Sequence, residues 1–431
     1  MKRFILSLTA LAVSGSALPV SAQSIEAPSS ARAVAAPVCN GSDGYSAVFD
    51  GRRTFLWRPD WLGATKSRLE SDASLQPAWT ALKARADAAL TRAPYTVVDK
   101  TTTPASGDKH DYMSMGPYWW PDRSKPRGLP YIRRDGQFNP ERDTNAFDVS
   151  DLEAMSQDVQ ALALASYFTG DARYATKAGE MMRVWFLDPA TKMNPNFNHG
   201  QAVPGRVSGR AEGVIDAHRL ARVVEAAGLL EPTSALTEDE NEALQTWFGE
   251  LVQWMATSPI GREERAAENN HGLYYDTLIT HFALYAGMDE VAKAVAERAK
   301  TRRLAAQIDP DGSFPRELTR TRSLHYSTWT LTAAFDLADE ARCAGVDLWG
   351  YRSEDGRSLH AAVNFLVPWA GREQDWRWPE LDKTETDGLY EVFQRAAWAY
   401  GDPTYAAKAA LYAKRNETLD LNLRVPPYAG D

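Results

Sequence analysis

The chain has 431 residues, 44% of them hydrophobic, with 57 acidic against 48 basic residues and a net charge of −9. That balance excludes general nucleic-acid binding, which needs a cationic face, and it offers an anionic ligand no bulk attraction, so any anion site must be locally basic. Two cysteines, Cys39 and Cys343, make neither a disulfide framework nor a cysteine metal site.

The N-terminus reads as a targeting segment. Lys2 and Arg3 precede an apolar run over 4–13, and Val20-Ser21-Ala22 supplies a small-residue cleavage site before Gln23. Residues 1–22 are therefore expected to be a signal peptide, which places the mature protein in a periplasm or the medium. The apolar run is too short to span a bilayer, and no later segment reads as a membrane span. Outside the cytoplasm Cys39 and Cys343 are permitted to pair, but nothing in their spacing decides it. Residues 23–45, rich in Ala, Pro and Ser, form a loose lead-in.

From there to residue 431 the pattern is that of one all-α domain. Apolar positions recur at helical spacing over 75–90, 150–186, 210–230, 237–256, 273–285, 291–308, 326–344, 358–370 and 389–400. Strand alternation is scarce. Gly170-Asp171 and Gly401-Asp402 open two matching segments, and Gly287-Met288-Asp289 a looser one. In each, a glycine ends one helix and an acid opens the next. Repeated helical hairpins bury one another's apolar faces, which predicts an (α/α) toroid, an incomplete barrel of helical hairpins. Such a ring leaves a cleft where its loops gather, expected from 103–148, 194–209 and 309–325.

Four segments are dense in chemistry-bearing side chains. Lys109-His110-Asp111-Tyr112 leads to Tyr118-Trp119-Trp120-Pro121, an aromatic run that prolines keep out of a regular helix. Aromatic faces of this kind either stack on sugar rings or pin the loop to the body. Asn194 to Gln201 is a turn-rich, amide-rich stretch containing Asn198, and its amides serve equally as turn formers or as contacts to hydroxyls and carboxylates. Glu268-Asn269-Asn270-His271-Gly272 precedes Tyr274 and Tyr275. It supplies neutral donors, a group titrating near neutrality and phenols, although Asn269 or Asn270 could equally be a helix N-cap. Finally, Arg316, Arg320, Arg322, His325 and Tyr326 form the strongest local basic patch. Helical spacing would set Arg322 beside Tyr326 and does not pair Arg320 with it.

Together the Asn269-Asn270-His271-Gly272 motif, the segment from Asp311-Gly312-Ser313 to Ser323-Leu324-His325-Tyr326, and the segment from His110 to Pro121 resemble the alginate lyase superfamily, over about residues 50–412. The resemblance implies an α/α-toroid polysaccharide lyase acting on mannuronan or β-1,4-glucuronan. It implies that Asn270 and His271 bind and neutralise the uronate carboxylate, assisted by Arg320, and that Tyr326 transfers protons. Arg322 remains a rival to Arg320. Asn198, Gln201, His110, Tyr118, Trp119, Trp120, Arg316, Arg322 and Tyr275 are the candidate contacts to an anionic polyuronate.

The chemistry explains the residue types. A lyase takes the C5 proton of a uronate and expels the C4 glycosidic oxygen. That proton becomes removable only when the adjacent carboxylate is neutralised, as an oxyanion hole does. A tyrosine near its ordinary value of ~10, lowered by surrounding cations, is the expected base. In β-linked mannuronate and glucuronate the two bonds lie on one ring face, so one phenol can serve both. No cofactor is called for, and the histidines form no metal-binding spacing. Two rival readings use other parts of the chain: a glycoside hydrolase built on Asp311 and Glu317, and a glycan-binding protein without catalysis.

Overall fold

Glycine and aspartate set where the helices break. Gly170 adopts φ +73°, and its N–H closes the helix Val149–Thr169 on the Ser166 carbonyl. Asp171 then accepts from the Arg173 N–H and opens Ala172–Met182. Gly401 and Asp402 repeat the arrangement before Pro403–Ala410. The third copy keeps its glycine, Gly287, but Asp289 lies inside the helix Asp289–Ala299 and accepts from Ser42 Oγ instead of capping.

In the computed structural model, which describes residues 37–381 and 387–428, helical hairpins built this way form an α/α toroid. The inner helices Val149–Thr169, Leu220–Leu230, Asn270–Tyr285, Ser323–Cys343 and Asp387–Tyr400 pack one on the next. The short helix Leu421–Arg424 reaches back to Pro59–Arg68 and Gln76–Leu90. Asn270–Tyr285 is buried on nearly every face, because one core lies on either side of it. The expected signal peptide and most of the lead-in lie outside the described residues. No helix among the described residues is long and apolar enough to cross a membrane.

Three expected long helices are interrupted. The 150–186 stretch breaks at Gly170, 210–230 begins as the 3-10 helix Ala211–Arg219, and 291–308 passes through a π turn at Lys300–Leu304. Pro59–Arg68 and Pro259–Ala266 are further helices that start on proline, which is preorganised for the first turn.

Two ties hold the N-terminal segment. Glu225 accepts the N–H groups of Phe55 and Trp57 at 3.0 and 2.8 Å, and meets His281 Nε2 at 2.9 Å. Cys39 and Cys343 are joined in a disulfide, Cα to Cα 4.5 Å, across 304 residues.

The few strands among the described residues are short and serve to join loops. Met113–Met115 pairs in parallel with His199–Ala202, and Trp119–Trp120 pairs antiparallel with Ile132–Arg133. A Cβ on Gly213 would fall 2.3 Å from the Gly200 carbonyl carbon, so this junction requires glycine. The three loop segments expected to line a cleft are thereby drawn together. Asp111 accepts from Asn194 and Asn196, and Asp135 accepts from Arg320.

Candidate active site

The helix Asn270–Tyr285 is capped from outside. Asn269 has extended backbone but makes no side-chain cap. Instead Glu317, from the short helix Pro315–Leu318, accepts the Asn270 N–H at 2.7 Å and the Asn270 amide at 2.9 and 3.1 Å. Asn269 therefore holds the N-cap position, while the capping bond comes from Glu317. Gly272 is required because a Cβ there would lie 2.0 Å from the Ala267 carbonyl oxygen.

His271 Nδ1 lies 2.6 Å from Glu264 Oε1 on the helix Pro259–Ala266. Burial works against the imidazolium, but the Glu264 charge and hydrogen bond, helped by Glu212, outweigh it and raise the His271 pKa. Since a carboxylate can only accept, Nδ1 carries a proton, and Nε2 is the nitrogen available to a ligand. Arg210 bonds Glu212 at 2.6 Å and the Gln201 side chain at 2.7 Å.

Tyr326, three residues into its helix, places its hydroxyl 2.5 Å from that of Tyr118. The Arg320 guanidinium lies 3.7 Å above the Tyr326 ring. Helical spacing did not pair these two because Arg320 precedes the helix, in a turn. Asp135 fixes the guanidinium with contacts of 2.9 and 3.2 Å and also accepts from Thr321. Burial would raise the Asp135 carboxyl, but Arg320 and Thr321 hold it down at about 2. Tyr326 goes the other way. Burial, then Tyr118, raises its pKa well above an ordinary phenol, and Arg320 offsets only part of that. The expectation of a phenol lowered by its cations is corrected: burial and Tyr118 outweigh Arg320 and raise it.

The two groups are linked electrostatically through Glu317. Arg320 and His271 both act electrostatically on Glu317, which holds Asn270. Arg210, which acts on His271, lies 5.9 Å from the Trp119 ring, and Trp119 follows Tyr118 in the chain.

The other expected contacts divide. Trp119 is half-buried beneath Arg206 and Arg210. Trp120 spends its indole N–H on the Gln137 carbonyl, with Arg134 over its ring. Gln201, buried with φ +48°, holds Arg210. Asn198 is exposed and accepts from Trp254 Nε1. His110 Nδ1 lies 2.6 Å from the Lys192 carbonyl oxygen, within the loop framework.

Three further candidates are placed as follows. Arg322 precedes the Tyr326 helix and its carbonyl accepts from the Tyr326 N–H, while its Nε donates to the Gly136 carbonyl and its guanidinium faces Phe138. Arg316 makes an exposed ion pair with Glu268. Tyr275 is a core residue whose hydroxyl donates to the Met255 carbonyl. Nor do Asp311 and Glu317 form a hydrolase pair, since Glu317 is buried on Asn270 and Asp311 accepts from the Ser313 N–H in a turn. Among the described residues no group of three His, Cys, Asp or Glu could hold a metal ion.

Sequence reasoning missed Glu264, Asp135 and Arg210, whose partners lie in other elements or other loops. It also passed over His199, which faces Asp111 at 3.7 Å and has a buried Nδ1 without a hydrogen bond among the described residues.

An imidazole backed by a carboxylate, a fixed guanidinium and paired phenols suit proton transfer beside a carboxylate. Comparison with known proteins gives the family. The alginate lyase family profile matches residues 96–376. The chain is similar to a solved alginate lyase from Bacteroides ovatus, with 40% identity, covering 87% of this chain and 99% of that one, at a TM-score of 0.83. Alginate lyase A1-III from Sphingomonas species A1 is more remote, at 19% identity over 79% of this chain and 87% of that one, with a TM-score of 0.48. No curated protein matches the chain. On the family match and the Bacteroides likeness, the chain belongs to the alginate lyase family and is a polysaccharide lyase.

Proposed function

We propose that the enzyme cleaves β-1,4-linked polyuronate, either mannuronate-rich alginate or glucuronan, by syn β-elimination. The observation that carries this reading is the Tyr326 hydroxyl, held against Tyr118 and under Arg320, with His271 raised by Glu264 on a neighbouring helix. Asn270, His271 and Arg320 neutralise the substrate carboxylate, which lets charge develop at C5. The Tyr326 oxygen, as phenolate, takes the C5 proton. The C5–H electrons form the C4–C5 double bond, the C4–O bond breaks, and the new phenol returns its proton to the leaving oxygen.

A raised phenol is a strong base once ionised, which suits removal of the C5 proton. The Tyr326 proton must first pass to solvent; either hydroxyl can donate across the Tyr118–Tyr326 contact, and with Tyr118 as the donor it supports the phenolate once formed. Tyr118 thus acts on Tyr326 as well as lining the sugar path with Trp119 and Trp120. Asn270 gives its amide N–H groups to Glu317, so its part requires either a shared proton or exchange of partners when substrate arrives. Burial raises the Glu317 carboxyl, which favours that exchange.

The proposed site of action is the periplasm or the medium. The leader-like N-terminus supports it, as does the Cys39–Cys343 bridge, which an oxidising compartment maintains. The test is a panel of mannuronan, guluronan and glucuronan assayed for new ultraviolet-absorbing unsaturated ends. Cleavage of mannuronan or glucuronan is expected. Action on guluronan alone would overturn the syn assignment, because there the two bonds lie on opposite ring faces.

A further inference from the structure

We propose a second, non-catalytic binding surface for anionic polyuronate, centred on Trp369. It rests on the functional reading above and extends it to a part of the fold that the reaction does not use. After the helix Leu359–Leu366 the chain forms an aromatic cluster of Phe365, Trp369, Trp376 and Trp378, with ring centroids 4.7–6.1 Å apart. Trp376 is buried and accounts for the packing, but Trp369 and Trp378 stay partly exposed. Trp369 and Pro368 line two cavities, of about 520 and 600 Å³. A ridge shared by two cavities makes a track, which suits an extended chain better than a single sugar.

The charges on that track favour an anion. The first cavity holds Arg372, Asp375 and Arg377, and the second holds Arg352, Asp311 and Asp355. Each acid is already satisfied: Asp375 by Arg372, Asp355 by Arg357, and Asp311 by the Ser313 N–H. Arg377 and Arg352 have no ion pair among the described residues. The Arg377 guanidinium lies 5.6 Å from the Trp369 ring centroid, so a flat apolar face and an uncompensated cation sit side by side. A uronate presents the complementary pair, an apolar ring face and a carboxylate.

The surface is mechanically joined to the catalytic helix. Trp376 Nε1 donates to Ser323 Oγ at 2.7 Å, and the Ser323 N–H donates to the Pro379 carbonyl at 3.0 Å. Ser323 opens the helix that carries Tyr326. A polymer held at Trp369 would be tethered to the enzyme between cuts, which lowers KM for long chains without touching the chemistry.

The experiment uses the full chain with Trp369→Ala and Arg377→Ala combined, and separately Arg377→Glu, a change at an exposed residue that spares the fold. Each is assayed on long mannuronate-rich alginate and on its shortest cleaved oligomer. Polymer KM should rise about tenfold, with kcat and the oligomer kinetics unchanged, and Arg377→Glu should show a smaller rise that salt abolishes. Unchanged polymer KM in both variants overturns the inference while leaving the functional reading standing. Equal losses on polymer and oligomer also overturn it, since the residues would then belong to the cleft or the framework. If the unaltered enzyme releases no unsaturated ends from any polyuronate, the functional reading fails and this inference fails with it.

Discussion

Glu264 Oε1 lies 2.6 Å from His271 Nδ1, and this contact decides what the histidine can do. A neutral imidazole could act as a base through Nε2. The carboxylate behind it raises its pKa instead, so the ring is suited to neutralising a sugar acid.

Glu264→Gln should therefore change the pH profile as well as the rate. A raised histidine contributes its ion-pair stability fully below the unfolded value of about 6.5 and loses it as pH rises through the folded value. Without Glu264, burial and Arg210 oppose the charge with only Glu212 favouring it, and the imidazolium is lost at lower pH. The alkaline limb of kcat/KM should move to lower pH, with a fall of about 10²-fold near neutrality. Rate profiles and an NMR titration of His271 check this; an unmoved limb would contradict it.

Asp135→Asn should leave Arg320 poorly held. The Asp135 carboxylate is depressed to about 2, so its contribution is present above the unfolded value and is lost only as pH falls through about 2. At neutral pH the variant should keep its fold and lose about 10- to 100-fold in kcat, because the guanidinium is no longer fixed over the phenol. Circular dichroism with steady-state kinetics separates the two effects.

The candidate residues were legible in the sequence. Asn270, His271, Arg320 and Tyr326 stood out because clustered amides, cations and phenols are poor core material; the structure sets Arg320 over the Tyr326 ring and Asn270 on Glu317. The toroid was legible because Gly170-Asp171 and Gly401-Asp402 break helices for reasons local to the chain. What stayed hidden depends on chain crossings. Asp135 reaches Arg320 across 185 positions, and Tyr118 reaches Tyr326 across 208. Tyr275 was misplaced for the converse reason: sharing the His271 segment says nothing about which way a side chain on an almost wholly buried helix turns.

Tyr118→Phe removes the hydroxyl that meets the Tyr326 hydroxyl. It should cost about tenfold in kcat, the value of one such hydrogen bond, with little change in KM. A rise in KM alone would mean that Tyr118 only contacts sugar.

The Cys39–Cys343 bridge closes a loop of 304 residues, which in the chain-entropy view is worth about 6 kcal/mol. Replacing both cysteines by serine should lower Tm markedly and leave kcat at moderate temperature near normal. Thermal melts with and without reductant test it; coincident melts would contradict it.

The central claim is that the Tyr326 hydroxyl moves the proton. Tyr326→Phe, measured for release of ultraviolet-absorbing unsaturated ends from mannuronan and glucuronan, tests it most directly. The account predicts a native circular dichroism spectrum and turnover reduced by about 10³-fold or more. A variant that released those ends at close to the unaltered rate would contradict it.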